Sequence, residues 1–294
     1  MIKLDGYNII KKIAPGGMGD VYLAEHKVLQ NKVAIKSLHA ALVNDEEFRK
    51  RFRTEARIQS RLSHPNIVKL VDFQERKNGL FLIMEYVDGK QLNHYIKNDS
   101  GPIPETDLIP LFKKILSAIK YAHSKKLVHR DIKPSNILIT KDNNVKIIDF
   151  GIALSGDETG FTKSGVQVGT VSYMSPEQVN AEKVDLLTDI YSLGVTLFQM
   201  TVGKAPYSNV TNSFKIQLSI VKDPLPNPKD IYPGSSDRLI NIIKKATKKK
   251  KKDRFQNCDE FIKSFDIELP KPKPKPKPKP PRKPLGPIIK KYFQ

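Results

Sequence analysis

His129-Arg130-Asp131-Ile132-Lys133-Pro134-Ser135-Asn136 places a lysine two residues, and an amide five residues, after one carboxylate. Asp131 can accept or orient a hydroxyl proton. Lys133 can neutralise a transferring phosphoryl group. Asn136 offers an amide oxygen to a hard cation such as Mg²⁺, which takes oxygen ligands. Thirteen residues after Asn136, an apolar run ends in Asp149-Phe150-Gly151, which sets Asp149 as a second oxygen ligand. Such a tripeptide arises by chance in many chains, so its weight comes from its spacing to the octapeptide.

Upstream, Ala14-Pro15-Gly16-Gly17-Met18-Gly19-Asp20-Val21 lies between two strand-like segments. Its backbone N–H groups can approach phosphate oxygens with no Cβ in the way, although a plain hairpin would use the same glycines. Fifteen residues past Val21 stands Lys36, in Val33-Ala34-Ile35-Lys36. A lysine inside an apolar strand needs an anion if it is buried. Glu55, in the next helical segment, can supply a carboxylate; the alternative is a lysine that snorkels to the strand edge.

The wider pattern is a small β-rich part followed by a larger α-rich part. Tyr7 to Ile13, Val21 to His26, Lys32 to Leu38, Ile67 to Phe73 and Leu80 to Tyr86 read as strands, with Asn78-Gly79 as a hairpin turn. Glu46 to Leu62 carries apolar residues at near-helical spacing. From Val87 the expectation is mostly helical. Helices are predicted over Asp107 to Ser124, Pro176 to Asn180, Leu187 to Val202, Ser213 to Val221, Ser236 to Thr247 and Cys258 to Phe265, and two short apolar runs flank the turn Asp142-Asn143-Asn144. The apolar stretch Tyr191 to Met200 is too short to span a bilayer and has the length of a buried core helix.

Taken in order and spacing, these segments resemble the signature set of the eukaryotic-type (Hanks-type) Ser/Thr protein kinases from about Tyr7 to Leu269. Pro15 to Ala24 and Val168 to Gln178 are most similar to the bacterial branch. The resemblance implies an α+β bilobal protein-kinase fold. Residues 1–269 would be the kinase domain, with an N-lobe of about 1–86 and a C-lobe of about 87–269, and 270–294 a Lys/Pro-rich tail or juxtamembrane linker.

It further implies ATP with Mg²⁺ or Mn²⁺. Ala14, Gly16, Gly17 and Gly19 would form the loop over the phosphates, and Val21 and Ala34 would pack on adenine. Lys36, paired with Glu55, would hold the α- and β-phosphates. Met84 would be the gatekeeper, and Glu85 and Val87 the hinge. Asp131 would be the catalytic base beside Lys133, and Asn136 and Asp149 the metal ligands. His129 would brace the metal-binding segment. Thr170 would buttress Asp131 and Lys133, Asp189 would anchor the catalytic loop, and Glu177 with Arg254 would form a buried ion pair. Asp-x-Lys-Pro-x-Asn resembles the Ser/Thr group rather than the tyrosine kinases. Arg130 beside Asp131 and the polar segment Ile152 to Met174 resemble a phosphoregulated activation loop, with Thr162 and Ser164 as expected sites and Thr159 as a weaker one.

The expected reaction is transfer of the ATP γ-phosphate to protein serine and threonine hydroxyls, with autophosphorylation of the activation loop and self-association for transfer in trans. Two residues depart from the family pattern: Ala14 replaces the first loop glycine, and Ser175 replaces an alanine before Pro176-Glu177. Retention of Lys36, Asp131 and Asp149 argues against a pseudokinase. Lys133-Pro134 and Ser175-Pro176-Glu177 argue against a small-molecule kinase.

Charge is unevenly placed. The net charge is +20, and residues 270–294 hold eight lysines, one arginine and no acid, which leaves +11 for residues 1–269. Lys-Pro alternation from Lys271 to Pro280 favours polyproline II; at ~3.1 Å per residue the tract 270–287 reaches on the order of 55 Å. Contact of this tail with an anionic membrane or a protein partner is one expectation, and a solubilising tail the other. Basic-aromatic interleaving of the nucleic-acid type is absent, so nucleic acid is not an expected partner. A cytoplasmic location is expected, with membrane tethering if a transmembrane helix follows in a longer chain. Cys258 is the only cysteine, which excludes an intrachain disulfide.

Overall fold

The computed structural model describes residues 4–15, 19–39, 42–43, 45–76, 79–149 and 171–267. Thr162, Ser164, Thr170, Gly16, Gly17 and the tail 270–294 lie outside these residues, as does Asn78 of the hairpin turn.

β-Branched, aromatic and other apolar residues, alternating in some strands and continuous in the last, build five antiparallel strands: β1 (Tyr7–Ala14), β2 (Gly19–His26), β3 (Lys32–Leu38), β4 (Leu70–Arg76) and β5 (Gly79–Glu85). Their order is β1-β2-β3-β5-β4, so β3 is central and pairs with both β2 and β5. One face packs Tyr7, Ala24, Val33, Ile35 and Ile83 together. The other packs Leu38, Leu80 and Leu82 against Phe52 and Ala56 of helix α1 (Glu46–Gln59). Asp45 caps α1 by accepting from Glu47 N at 2.9 Å and Phe48 N at 3.3 Å.

The expected helix to Leu62 ends at Gln59. Leu62 is buried, as its periodic position suggested, but it packs into the core of the helical lobe from a turn. The strand expected from Ile67 begins at Leu70. Ile67 instead forms a parallel bridge with Ile147, with Val68 N to Ile147 O at 2.9 Å and Ile147 N to Asn66 O at 2.8 Å, so this segment joins the two lobes.

The second lobe is built on α3 (Glu105–Ser124) and α5 (Leu186–Val202), preceded in sequence by α2 (Leu92–Tyr95) and α4 (Pro176–Val179). It continues with α6 (Ser213–Lys222), α7 (Pro228–Ile231), α8 (Asp237–Ala246) and α9 (Cys258–Ser264). Every residue of α5 from Thr188 to Val202 is buried, as expected of that apolar stretch. Gly194 lets α8 come close: a Cβ there would lie 2.7 Å from Ala246 Cβ and 2.8 Å from Thr247 Cγ2. Elements that were not foreseen include α2, α7 and β6 (Gly89–Gln91), the last of which joins β7 (Ile137–Thr140) and β8 (Val145–Ile147) in a sheet of order β6-β7-β8. All three are too short to show a period.

Ser175, one of the two departures from the family pattern, has a structural use. It caps α4 in a capping box with Gln178, each side chain bonding the other's backbone N–H. Two residues on, Glu177 accepts from Arg254 Nη1 and Nη2, both at 2.8 Å, and from Thr188 Oγ1 at 2.9 Å. Arg254 and Glu177 are almost fully buried. Burial pushes the Glu177 carboxyl up, and the guanidinium more than reverses this, so the net shift is downward. Glu177→Ala is therefore expected to destabilise the chain by roughly 3–5 kcal/mol through a stranded buried arginine, measured by urea unfolding. A depressed folded pKa means the unfolded state binds the proton more tightly. This part of the stability is present above the ordinary carboxylate range and lost on acidification through it. The wild type should lose stability there more steeply than the variant, and parallel pH profiles would contradict the assignment.

Candidate active site

Asp189, on α5 and fully buried, organises the loop that carries Asp131. Its Oδ2 accepts from His129 N at 2.8 Å and lies 2.8 Å from His123 Nε2; its Oδ1 accepts from Arg130 N at 2.9 Å. Arg130 adopts φ of 67°, a region that non-glycine residues rarely occupy, and these hydrogen bonds hold it there. Gln178 Nε2 adds a bond to Arg130 O at 2.8 Å.

The loop then presents a compact polar set. Asp131 Oδ2 lies 2.8 Å from Lys133 Nζ and accepts from Asn136 Nδ2 at 3.0 Å. The same Asn136 nitrogen bonds Asp131 O at 2.9 Å. Asn136 immediately precedes β7, and its carbonyl accepts from Ile148 N at 2.9 Å, which fastens β8 and Asp149 beside it. Asp149 has φ of 50°, a second strained residue. His129 is buried, which holds its imidazole below its ordinary pKa despite three nearby carboxylates. Its Nδ1 accepts from Asp131 N at 3.3 Å.

Lys36 crosses from the N-lobe sheet to this set. Its Nζ bonds Glu55 Oε1 at 2.8 Å and Asp149 Oδ1 at 3.0 Å. The alternative of a lysine at a strand edge does not hold: β3 is central, and the Lys36 side chain is 14% exposed. Burial alone would lower its pKa, but Asp149 and Glu55 together raise it, so the ammonium persists at neutral pH. The β2–β3–β5 register places Val21 opposite Lys36 and Ala34 opposite Met84. Met84 is buried, with its Sδ 3.7 Å from Gln59 Nε2.

The Glu85 side chain is committed elsewhere, to Lys146 Nζ at 2.5 Å and Lys69 N at 2.9 Å. Val87 is half-buried beyond the end of β5. Ala14 pairs with Val21 at the mouth of the glycine turn. Gly19 leaves no room for a side chain, since a Cβ would sit 1.9 Å from Ser37 O.

These donors suit a nucleotide with a hard cation. The Asn136 amide nitrogen is occupied by Asp131, which leaves Oδ1, and Asp149 has a second carboxylate oxygen beyond the one on Lys36. Oxygen donors of this kind fit Mg²⁺, which completes its shell with phosphate oxygens and water. Among the described residues no three His, Cys, Asp or Glu side chains form a metal cluster, so a protein-only site such as zinc would need has no counterpart there.

Sequence reading did not single out His123, Gln178 or Lys146. His123 and Gln178 sit on buried or half-buried helix faces among apolar neighbours, where a polar side chain is itself a signal of a specific partner.

Residues 7–264 match the family described as the protein kinase domain, and the chain belongs to that family. It is 39% identical over 254 residues to the serine/threonine-protein kinase PrkC of Bacillus subtilis (strain 168), covering 86% of this chain and 39% of that protein. It is 37% identical over 259 residues to a probable serine/threonine-protein kinase PknB of Lactococcus lactis subsp. lactis (strain IL1403), covering 88% and 41% respectively. The chain thus spans about two fifths of the length of these curated relatives. A crystal structure of the Mycobacterium tuberculosis PknI kinase domain superposes with a TM-score of 0.70 at 27% identity, covering 90% of this chain and 96% of that one. The fold is the protein-kinase fold, and the relatives are Ser/Thr kinases of bacteria.

Asp189→Ala removes the acceptor of two loop amides and of His123. Hydrogen exchange should quicken at His129 and Arg130 by about tenfold or more, with stability reduced by roughly 1–3 kcal/mol. Unchanged protection at those two amides would show that the loop does not depend on Asp189.

Proposed function

We propose that the chain is a serine/threonine protein kinase that transfers the ATP γ-phosphate to protein hydroxyls. The observation that carries this is the ammonium of Lys36, shared between Glu55 and Asp149 at 2.8 and 3.0 Å, in the same cleft as Asp131, Lys133 and Asn136. Membership of the protein kinase family implies ATP and a divalent metal in general terms, and protein substrates. In this reading Lys36 holds the α- and β-phosphates, while Glu55 keeps the ammonium charged and aimed. Gly16, Gly17 and Gly19, with Ala14, cover the phosphates by backbone, and Val21, Ala34 and the Glu85–Val87 hinge seat the adenine. Asp131 accepts or orients the proton of the incoming hydroxyl, and Lys133, bonded to the same carboxylate, offsets charge on the group in flight. A divalent cation at Asn136 and Asp149 supplies neutralisation of phosphate charge. Positioning and electrostatics then account for the rate more than covalent chemistry does.

The serine/threonine preference rests on Lys133, on Thr170 and on the names of the relatives. Thr162 and Ser164 are the proposed autophosphorylation sites, reached by transfer between two copies of the chain. Residues 1–269 are proposed as the kinase domain and 270–294 as a linker or tail that meets an anionic membrane or a partner, in a protein acting in the cytoplasm. Among the described residues no helix is long and apolar enough to cross a membrane.

Purified chain with Mg²⁺ and γ-labelled ATP should incorporate label at Thr162 or Ser164, mapped by mass spectrometry. Asp131→Asn and Lys36→Ala should each lose on the order of 10²–10⁴-fold in transfer rate while keeping the wild-type circular dichroism spectrum. Wild-type rates in either variant would remove that residue from the site. Nucleotide binding without transfer to the chain or to a generic protein acceptor would defeat the kinase reading.

A further inference from the structure

Lys244, Lys245 and Lys248 to Lys252 put seven lysines into nine residues, with Asp253 next to them. The segment closes α8 and runs through a short 3-10 turn, Lys251–Asp253. Three of the seven are engaged. Lys245 lies 4.4 Å from the centre of the Phe255 ring, Lys249 donates to Ile220 O at 2.6 Å, and Lys251 bonds Lys183 O at 2.6 Å and Asp185 Oδ2 at 2.8 Å. Burial lowers the pKa of Lys249 to about 8; Asp223 opposes the shift and Arg254 adds to it. Lys244, Lys248, Lys250 and Lys252 are exposed and form no ion pair with any described carboxylate.

These four are not a loose tail. Arg254, fully buried, donates from Nε to Lys248 O at 2.7 Å and from Nη2 to Lys249 O at 3.0 Å, and its N bonds Lys251 O at 3.1 Å. The guanidinium that holds Glu177 therefore also fixes the backbone under the lysines. Glu177 adjoins Gln178, which bonds the carbonyl of Arg130 beside Asp131. Three side chains, Arg254, Glu177 and Gln178, thus tie the lysine loop to the backbone of the loop that carries Asp131. Like charges held at fixed spacing repel, a cost that folding alone does not require. Ammonium groups carried on a backbone held by Arg254, in the same lobe as Asp131, complement carboxylates at similar spacing, whereas a lipid surface needs only a flexible basic segment.

We infer that Lys244, Lys248, Lys250 and Lys252 form a docking surface for an acidic segment of the protein substrate, outside the residues that are phosphorylated. The inference rests on the kinase reading and names a class of substrate for it: proteins that carry an Asp/Glu-rich stretch away from the acceptor hydroxyl.

The test uses the full chain and a variant with Lys244→Ser, Lys248→Ser, Lys250→Ser and Lys252→Ser together. Acceptor peptides are the chain's own residues 158–168, alone and extended by oligoglutamate, and a labelled oligoglutamate serves as the binding probe. For the wild type the extension should lower KM about tenfold at low salt with kcat unchanged, as several exposed ion pairs acting together would give. The advantage should vanish at high salt. The variant should show equal KM for both peptides, about tenfold weaker binding of oligoglutamate, and a melting temperature equal to or above that of the wild type.

Oligoglutamate binding that survives in the variant would overturn the inference and move the site to the tail 270–294. Loss of binding to phosphatidylglycerol vesicles in the variant, with no oligoglutamate binding by either protein, would overturn it in favour of a membrane surface. Absence of transfer to either peptide would count against the kinase reading itself, while the binding arm would still report on the four lysines.

Discussion

A carboxylate with no exposure to solvent, Asp189, is the constraint on which the site depends. An ionised group so placed is tolerated only when donors surround it. Here two backbone amides and an imidazole do so, and the amides belong to the residues just before Asp131. A helix buried along nearly its whole length thus reaches out through one side chain to fix the backbone of the loop that carries Asp131. The strained φ of Arg130 is a consequence, since both amides of a turn can face one carboxylate only if the backbone bends sharply between them.

Lys36 solves a different problem with similar means. Its ammonium is withdrawn from water in a central strand, and two carboxylates from different parts of the chain compensate it. Because Glu55 comes from α1 and Asp149 follows β8, the three charges assemble only when the sheet, the helix and the second lobe are docked together. Formation of the ion triad and assembly of the cleft are therefore the same event.

Much of this was readable in the chain itself. The five N-lobe strands, α1, α3 and α5 carry clear periods or dense apolar runs, and their placement followed the expectation within a few residues. The octapeptide around Asp131, the strand around Lys36 and Asp149 were visible because their polar residues interrupt apolar context at fixed spacing. What was not visible depended on tertiary partners. β6 is three residues long and exists through pairing with β7. The end of α1 is set by where Leu62 finds its core. His123 and Gln178 show their use only when α5 and the loop that carries Asp131 are brought alongside them.

The parallel bridge between Ile67 and Ile147 makes the two lobes mechanically unequal partners. Residues 66–68 belong by connection to the N-lobe and by hydrogen bonding to the small sheet of the other lobe. Gln59, at the C-terminal end of α1, is tied to the same place through its bond to Val68 O at 3.3 Å. One end of α1 is thus moored at a fulcrum, while its N-terminal half is held to β4 by the side chains of Arg49 and Arg53 on Glu75. At ~1.5 Å of rise per residue, Glu55 lies roughly 6 Å from the moored end and Glu46 nearly 20 Å. A swing of α1 would carry its charged N-terminal turn through a wide arc and displace Glu55 by about a third as much. The carboxylate that steadies Lys36 sits on the short arm of this lever, so a force applied at the outer end of α1 reaches the ion triad with mechanical advantage.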